Sequence, residues 1–439
     1  MKALTFKRGI YPPHGKHYTE NKPIEVLMPT GDLIYPMVQH IGAACEPLVK
    51  KGDHVFLGQK IGEAKAFVSA PIHSTVSGIV KDITPMLHPN GTKVMSVIVE
   101  NDKKYEEDPS IGMQEDYKKM SREEIIEKIK EAGIVGMGGA GFPTFIKLSP
   151  PSEKKIDRIL INGAECEPYL TSDYRVMLEE SERVAEGLRI ILHLFPKAKG
   201  YIGIEDNKPE AIAKMREATK KDVNIEVVVL KTKYPQGSEK QLIYACTKRE
   251  VPSGKLPADV GCIVQNIDTV VAIHRAIVRG RPLMRRIVTV SGGAIKEPKN
   301  FKVRIGTTYR ELIEAAGGFI ETPTKVISGG PMMGISLFSL DVPIIKTSSA
   351  ILCLTKEEAV LPPEKVCIRC GKCVDICPMN LLPLSLNSHV LHHEWDAFEK
   401  EHGLDCMECG SCSYICPAKR HLVQSIRTGK KTVLLNKKK

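Results

Sequence analysis

Eight of the thirteen cysteines fall in two short matching runs, and no other feature restricts the fold so tightly. The first reads CIRCGKCVDICP from Cys367, the second CMECGSCSYICP from Cys406. Both have the form C-x2-C-x2-C-x3-C-P. Two-residue gaps let three thiolates close round one [4Fe–4S] cluster. The fourth, carried past a turn and followed by proline, points away and serves the other cluster. The spacing therefore predicts one cluster on Cys367, Cys370, Cys373 and Cys416, and a second on Cys406, Cys409, Cys412 and Cys377. Structural zinc favours two separated Cys pairs per site, and a disulfide framework suits small secreted chains. Two runs of four with the same Cys-Pro ending fit neither. Cys45, Cys166, Cys246, Cys262 and Cys353 lie outside the runs and read as small buried hydrophobes. The question for everything upstream is what exchanges electrons with these clusters.

A chain of 439 residues has room for two to four domains, each with its own core. At 42% apolar and 26% charged residues it has the composition of a soluble globular protein. No apolar run has the length of a membrane span, and the first residues lack the apolar core of a signal peptide. The expectation is a cytoplasmic chain, which suits thiolates kept as ligands in a reducing compartment. The net charge of +11 is unevenly placed. Residues 418–439 hold Lys419, Arg420, Arg427, Lys430, Lys431, Lys437, Lys438 and Lys439 and no acid. Such a tail suits an anionic lipid or an acidic partner, or is simply solvated and frayed. Nothing points to nucleic acid.

Residues 1–30 are Pro-rich and read as an extended arm that needs another surface to lie on. Residues 31–115 change to short β-runs with Gly turns. The segments around Gly52-Asp53, Gly58-Gln59, Ala70-Pro71 and Ser77-Gly78 resemble the hairpins of a biotinyl/lipoyl-type barrel. Those domains carry a cofactor on a lysine at a hairpin tip. Lys65 is the sole candidate, and the segment from it to Pro71 is short for that hairpin, so the reading is a structural barrel.

Residues 116–285 read as an α/β domain. Ser121 and Glu124 form a capping box for a helix to about Ala132, stopped by Gly133. The run GMGGAGFPT from Gly136 formally contains G-x-G-x-x-G. It follows a helix, so it is not the Rossmann fingerprint, which follows a strand. Its glycines still bare backbone N–H groups, and Pro143 suits the first turn of a helix whose N-terminus attracts an anion. A phosphate-bearing cofactor and an unliganded turn both remain open on these residues alone. Apolar runs at 158–162, 200–204 and 225–230 alternate with helical stretches at about 172–193 and 209–220, which predicts βαβ units and a parallel sheet. Glu165 and Glu167 follow the first strand, where open α/β sheets bind ligands.

The segments GMGGAGFPT, NGAECEP (from Asn162) and VQNIDT (from Val264) resemble, in the same order, those of the NADH-binding flavoprotein subunit of respiratory complex I. The resemblance implies FMN held by Gly136, Gly138, Gly139, Gly141, Asn162, Asn266 and Thr269, with Lys147 at its phosphate, and NADH against Glu165 and Glu167. Val135 and Met137 stand where that family has two arginines. Tyr169 and Ser238 depart from its pattern too. Residues 286–355 resemble the β-grasp domain called SLBB, with Met332-Met333 read as core. Residues 356–425 hold the twin-cluster ferredoxin-type domain, and 426–439 the basic tail.

The whole order resembles the C-subunit family of Rnf electron transport complexes. Arm, lipoyl-like β-barrel, α/β flavin/NADH domain with a parallel sheet, SLBB β-grasp, helical twin-[4Fe–4S] domain and basic tail recur there in sequence. The opening Phe6 to Pro13 also fits, with Arg8 where a glycine is usual, as does QHIGAACEPLVKKGDHV from Gln39. The resemblance implies the NADH-side subunit of a membrane-bound, ion-translocating NADH:ferredoxin oxidoreductase. It would be peripheral on the cytoplasmic face of the cell membrane, would pass electrons between NADH, FMN and two [4Fe–4S] clusters, and would meet ferredoxin through a partner subunit. The arm and the tail are the expected partner contacts. A flavin/Fe–S corrinoid reductase of a microcompartment, and a non-catalytic Fe–S relay subunit with a decayed flavin site, are the alternatives.

Overall fold

The computed structural model describes residues 3–437, so Lys438 and Lys439 of the basic run lie outside the described residues. Among the described residues there are four sheets. Strands Leu33–Pro36, Lys93–Asn101, Gly78–Leu87 and His54–Val55 form one antiparallel sheet; Glu46–Pro47, Lys60–Glu63 and Ile72–His73 form a second. Leu33, Tyr35, Val55, Val80, Val97 and Val99 of the first pack against Cys45, Ile61 and Ile72 of the second. The two sheets pack face to face over this shared core. Lys65 lies in the loop after Lys60–Glu63 and pairs with Glu46.

The α/β domain opens with the helix Arg122–Glu131, whose capping box at Ser121 and Glu124 is formed. Its sheet is wholly parallel, in the order Ile225–Leu230, Lys199–Glu205, Arg158–Gly163, Cys262–Asn266. One face is covered by Ser181–Leu194 and Ile267–Arg279, the other by Glu239–Thr247. The single helix expected over 172–193 is two, Ser172–Glu179 and Ser181–Leu194. The break falls at Glu180, whose buried carboxylate takes Arg183, Arg285 and Lys302. Burial pushes its pKa up, but the three cations outweigh burial and bring it down to about 2. Two of those cations lie on strands of the neighbouring β-grasp domain. A local helical preference yields here to a tertiary ion cluster.

The β-grasp domain has a six-stranded sheet in the order Ile24–Leu27, Lys299–Arg304, Arg285–Ser291, Ala350–Leu354, Lys325–Ser328, Ile335–Leu337. Its edge strand, 24–27, comes from the arm. The cluster domain is a set of short helices around Phe398, Leu386, Ile426 and Val433.

Three expectations change. The arm finds its surface on its own chain. Leu4 bridges to Leu230 at the edge of the parallel sheet, Ile10 to Tyr234, and Phe6 and Ile10 are buried. The inner side of the arm is thus packed on its own chain, while Tyr11, at 61% exposure, stays on the surface. The basic tail is likewise no tail. Leu422–Asn436 is a helix that runs straight across residue 426, and it buries Leu422, Val423, Ile426, Gly429 and Val433. Its cations stand on the outer side of an apolar stripe with helical spacing, and Arg427 and Lys430 pair with Glu408. The methionine pair splits: Met332 packs into an apolar cluster, whereas Met333 is exposed at the turn into Ile335–Leu337.

Candidate functional site

The eight motif cysteines separate into two sets. Cys377, Cys406, Cys409 and Cys412 line one cavity with Met379, Met407 and Ile426. Cys367, Cys370, Cys373 and Cys416 line the other. In each, three thiols of one run meet the fourth of the other run. The runs are also conformational copies. Arg369 and Glu408, at equivalent places, both take left-handed φ values of 54° and 58°. That turn brings each backbone N–H to a ligand sulfur, Arg369 N to Cys367 Sγ and Glu408 N to Cys406 Sγ, at 3.4 Å in both cases. Among the described residues no three His, Cys, Asp or Glu side chains converge as a single metal ion requires. Four thiols spread around a cavity, with N–H donors aimed at sulfur, fit an iron–sulfur cluster.

The two cavities differ in surroundings. Cys377, Cys409 and Cys412 are buried, and their cavity lies against the α/β domain. Gln241 Nε2 donates to Pro378 O at 3.2 Å, and Tyr234 Oη to Cys409 O at 2.8 Å. Of the other set, Cys370 is exposed, beside Val366 at 85% and Ile368 at 68% exposure. One cavity is thus inner and the other outer.

The glycine loop is closed at its base by the Val135–Pro143 bridge, with Gly136 N donating to Phe142 O. Thr269 Oγ1 ties it to the first turn of the helix Ile267–Arg279, accepting from Met137 N at 3.0 Å. Met137 O accepts from Arg286, which also pairs with Asp268. The helix after Pro143 is only one turn, Thr144–Lys147, so it contributes little dipole. Lys147 is paired with Glu239 at 2.8 Å. Val135 and Met137 are both buried in the core.

Asn162 and Asn266 are side by side in register on adjacent strands. Each uses its amide within the protein. Asn162 donates to Gly237 O at 2.7 Å. Asn266 caps the helix Ile267–Arg279 and donates to Asp173 at 2.7 Å. Gly138 touches Asn266, where a Cβ would come within 3.0 Å of its side chain. The loop, both asparagines and Thr269 therefore form one site.

The two glutamates do not open onto it. Glu165 turns inward and accepts from Asp173 N and Tyr174 N at the start of Ser172–Glu179. Beneath it, buried Lys16 of the arm donates to Glu165 O and Glu167 O, and buried Lys208 to Ala164 O. Burial pushes the Glu165 carboxyl up, against the pull of Lys16 and Lys208. Glu167 reaches the β-grasp domain, where Met332 N and Met333 N donate to it at 3.2 and 3.0 Å. Burial pushes its carboxyl up to about 7, and those two donors work against the rise.

Sequence reasoning passed over several residues: Asp173, Arg286, Lys16 and Gln265 on the α/β side, and Tyr234 at the inner cysteine set. Gln265 was legible, since it stands one residue before Asn266. It buries both ends of its carboxamide with no hydrogen-bond partner among the described residues. It shares a strand face with Ile263, which packs with Val135, Met137 and Phe145. A buried carboxamide left unpaired costs about 1–3 kcal/mol, so it points to a polar ligand. At Gly139 nothing lies within 4 Å of where a Cβ would stand. Bare backbone and an unpartnered amide fit a flavin mononucleotide.

Comparisons with known proteins divide the chain in the same way. Family models match for the RnfC barrel sandwich hybrid domain at residues 4–104, the Nuo51 FMN-binding domain at 129–275, the SLBB domain at 287–336 and a 4Fe-4S dicluster domain at 366–420. The chain resembles the NAD+-reducing [NiFe]-hydrogenase in its H2-reduced state, with a TM-score of 0.51 at 16% identity over 71% of this chain and 63% of that one. That likeness concerns fold alone. The C-subunit of the Na+-translocating ferredoxin:NAD+ oxidoreductase complex of Acetobacterium woodii is 48% identical over all of this chain and 99% of its own length. Its counterpart in the proton-translocating complex of Clostridium ljungdahlii is 51% identical over 96% of this chain and 93% of its own. The C-subunit of the ion-translocating oxidoreductase complex of Vibrio cholerae is 40% identical over 91% of this chain, which spans 52% of that longer relative. With an FMN-binding domain, a dicluster domain and full-length identity near one half, the chain belongs to the C-subunit family of Rnf-type ion-translocating oxidoreductases.

Proposed function

We propose that this chain is the NADH-side subunit of a membrane-bound ion-translocating NADH:ferredoxin oxidoreductase, peripheral on the cytoplasmic face of the cell membrane. The observation that carries the reading is the order of sites. Asn162 donates to Gly237 O in the 234–238 loop, whose Tyr234 and Ser238 meet Cys409 and Met407 of the inner set, and the outer set reaches the surface. A bound flavin can take a hydride from a nicotinamide and hand on electrons singly, which is the chemistry that joins NADH to iron–sulfur clusters. Around it the residues have positioning roles. Gly136, Gly138, Gly139 and Gly141 admit the cofactor to the backbone. Asn266 and Thr269 hold the loop against the start of the helix Ile267–Arg279, Asn162 holds the 234–238 loop, and Lys147 stands at the end of the single turn Thr144–Lys147. Glu165 and Glu167 would meet NADH only after giving up present donors, and Glu167 is the nearer to doing so. It is held by two N–H groups of the 329–334 loop, where Glu165 is sealed by a helix and a lysine. The cysteine sets are proposed as two [4Fe–4S] sites with the ligands given above.

Among the described residues no helix is long and apolar enough to cross a membrane. Ion movement is therefore assigned to partner subunits, and ferredoxin to contact through one of them. A second reading, a flavin-free relay subunit, is favoured by one observation. The cations near the glycine loop are already paired, Arg286 with Asp268 and Lys147 with Glu239. Anaerobic purification with flavin, iron and sulfide measured, and the spectrum followed on adding NADH, separates the two. FMN with about eight irons, as two cubane clusters require, and bleaching by NADH is the expected result. Eight irons with no flavin and no bleaching would leave a relay.

A further inference from the structure

Of the α/β-domain residues that meet the inner cysteine set, Tyr234 is the one that hydrogen-bonds the backbone of a ligand cysteine itself. Its phenol is buried and donates to the carbonyl of Cys409 at 2.8 Å. Glu167 Oε1 stands 3.5 Å from the same hydroxyl. On the backbone side Tyr234 exchanges two hydrogen bonds with Ile10 of the arm, each 2.9 Å long. The next arm residues outward grip the cluster domain itself. Gly9 N donates to Ile376 O at 3.0 Å, and Arg8 Nη1 to Val374 O at 2.9 Å. Gly9 must be a glycine for this. It has φ of +85°, and a Cβ there would stand 2.6 Å from Tyr234 O. Ile10, Tyr234 and Cys409 then share one apolar cluster with Cys166, Met332, Ile376 and Met407. Arm, α/β domain, β-grasp loop and cluster domain thus meet around a single phenol.

We propose that Tyr234, braced by the arm at Gly9 and Ile10, is the positioning residue that seats the inner cluster against the flavin site and raises its reduction potential. The inference rests on the cluster assignment proposed above. A hydrogen bond to the carbonyl of a ligand cysteine draws electron density from the peptide next to the thiolate. That favours the more negative, reduced cluster, as donors around cluster sulfurs do. Among the described residues the outer cysteines have no such hydrogen bond from the α/β domain, so the effect belongs to one cluster alone.

The test is Tyr234→Phe in the full chain, with both clusters titrated potentiometrically and followed by electron paramagnetic resonance. Cys370→Ser, which touches the outer set only, assigns the two signals. The expected result is a shift of the inner potential to lower values with the outer one unmoved and the flavin content unchanged. Gly9→Val, which pushes the arm off Tyr234 and leaves the phenol in place, is expected to broaden the inner signal. Potentials that both stay where they were, or that move together, overturn the proposal. Wild-type protein that binds no second cluster overturns it along with the reading on which it rests.

Discussion

At the scale of single residues, the glycine loop offers a clean separation of fold from ligand. Gly141 and Gly139 are two positions apart and differ in every physical respect. Gly141 has φ of +76°, and a Cβ would meet Thr347 Cγ2 at 2.7 Å and His40 Cα at 3.1 Å. Alanine there takes on left-handed strain of about 1–2 kcal/mol and a clash with both neighbouring domains. Gly139 has open space around it, so alanine should leave stability within about 0.5 kcal/mol of wild type. If the loop backbone receives a cofactor, Gly139→Ala nonetheless loses flavin. The expected pair of outcomes is a lowered melting temperature for Gly141→Ala, and an unchanged one with reduced flavin content for Gly139→Ala. Calorimetry and acid-released flavin on the same samples read both. Flavin retained in full by Gly139→Ala would take the ligand away from this part of the loop.

At the scale of elements, what was legible in the sequence was what is local. The capping box at Ser121, the strand runs of the parallel sheet and the spacing of the cysteine runs each lie within a dozen residues, and each appears in the fold. Contacts made by the arm are not local. Ile24–Leu27 pairs with Lys299–Arg304, and Lys16 lies under Glu165. Nothing near Lys16 in sequence announces a buried lysine. The inward turn of Glu167 is hidden for the same reason, because its donors lie in a different domain, whereas the donors to Glu165 are eight and nine residues away and only Lys16 beneath it is distant. The C-terminal helix was legible and was obscured by its charge. Leu422, Val423, Ile426 and Val433 keep helical spacing beneath the lysines. Gly429 in that helix packs on Phe398, where a Cβ would come within 2.9 Å, and on Val390, within 2.6 Å. Helix propensity alone would make Gly429→Val stabilising. Overpacking at about 1–3 kcal/mol outweighs it. The expected result is lost iron from the inner site with the flavin domain still melting at its wild-type temperature. A gain in stability would mean that the helix does not dock as described.

At the scale of the whole molecule, the arm, the β-grasp loop and the cluster domain are fastened around one end of the parallel sheet. The fastening leaves the two cysteine sets in unequal positions. The inner set is buried against the α/β domain, whereas Cys370 is exposed and flanked by Val366 and Ile368. Lys365, Arg369 and Lys372 add positive charge at the same surface. Exposed apolar residues among exposed cations suit brief contact with an acidic electron carrier. Exposure of a ligand cysteine shortens the distance to such a partner, so electrons should enter or leave the chain through the outer set. Cys370→Ser is the discriminating change, because it touches no residue of the flavin site or the inner set. NADH should still reduce the flavin and the inner cluster of that variant, while steady-state transfer to a protein acceptor falls at least tenfold. Raised ionic strength should weaken the same transfer in wild type, as screening of these cations requires. Undiminished transfer through Cys370→Ser would place the exit at the inner cluster and leave the outer one as a side branch.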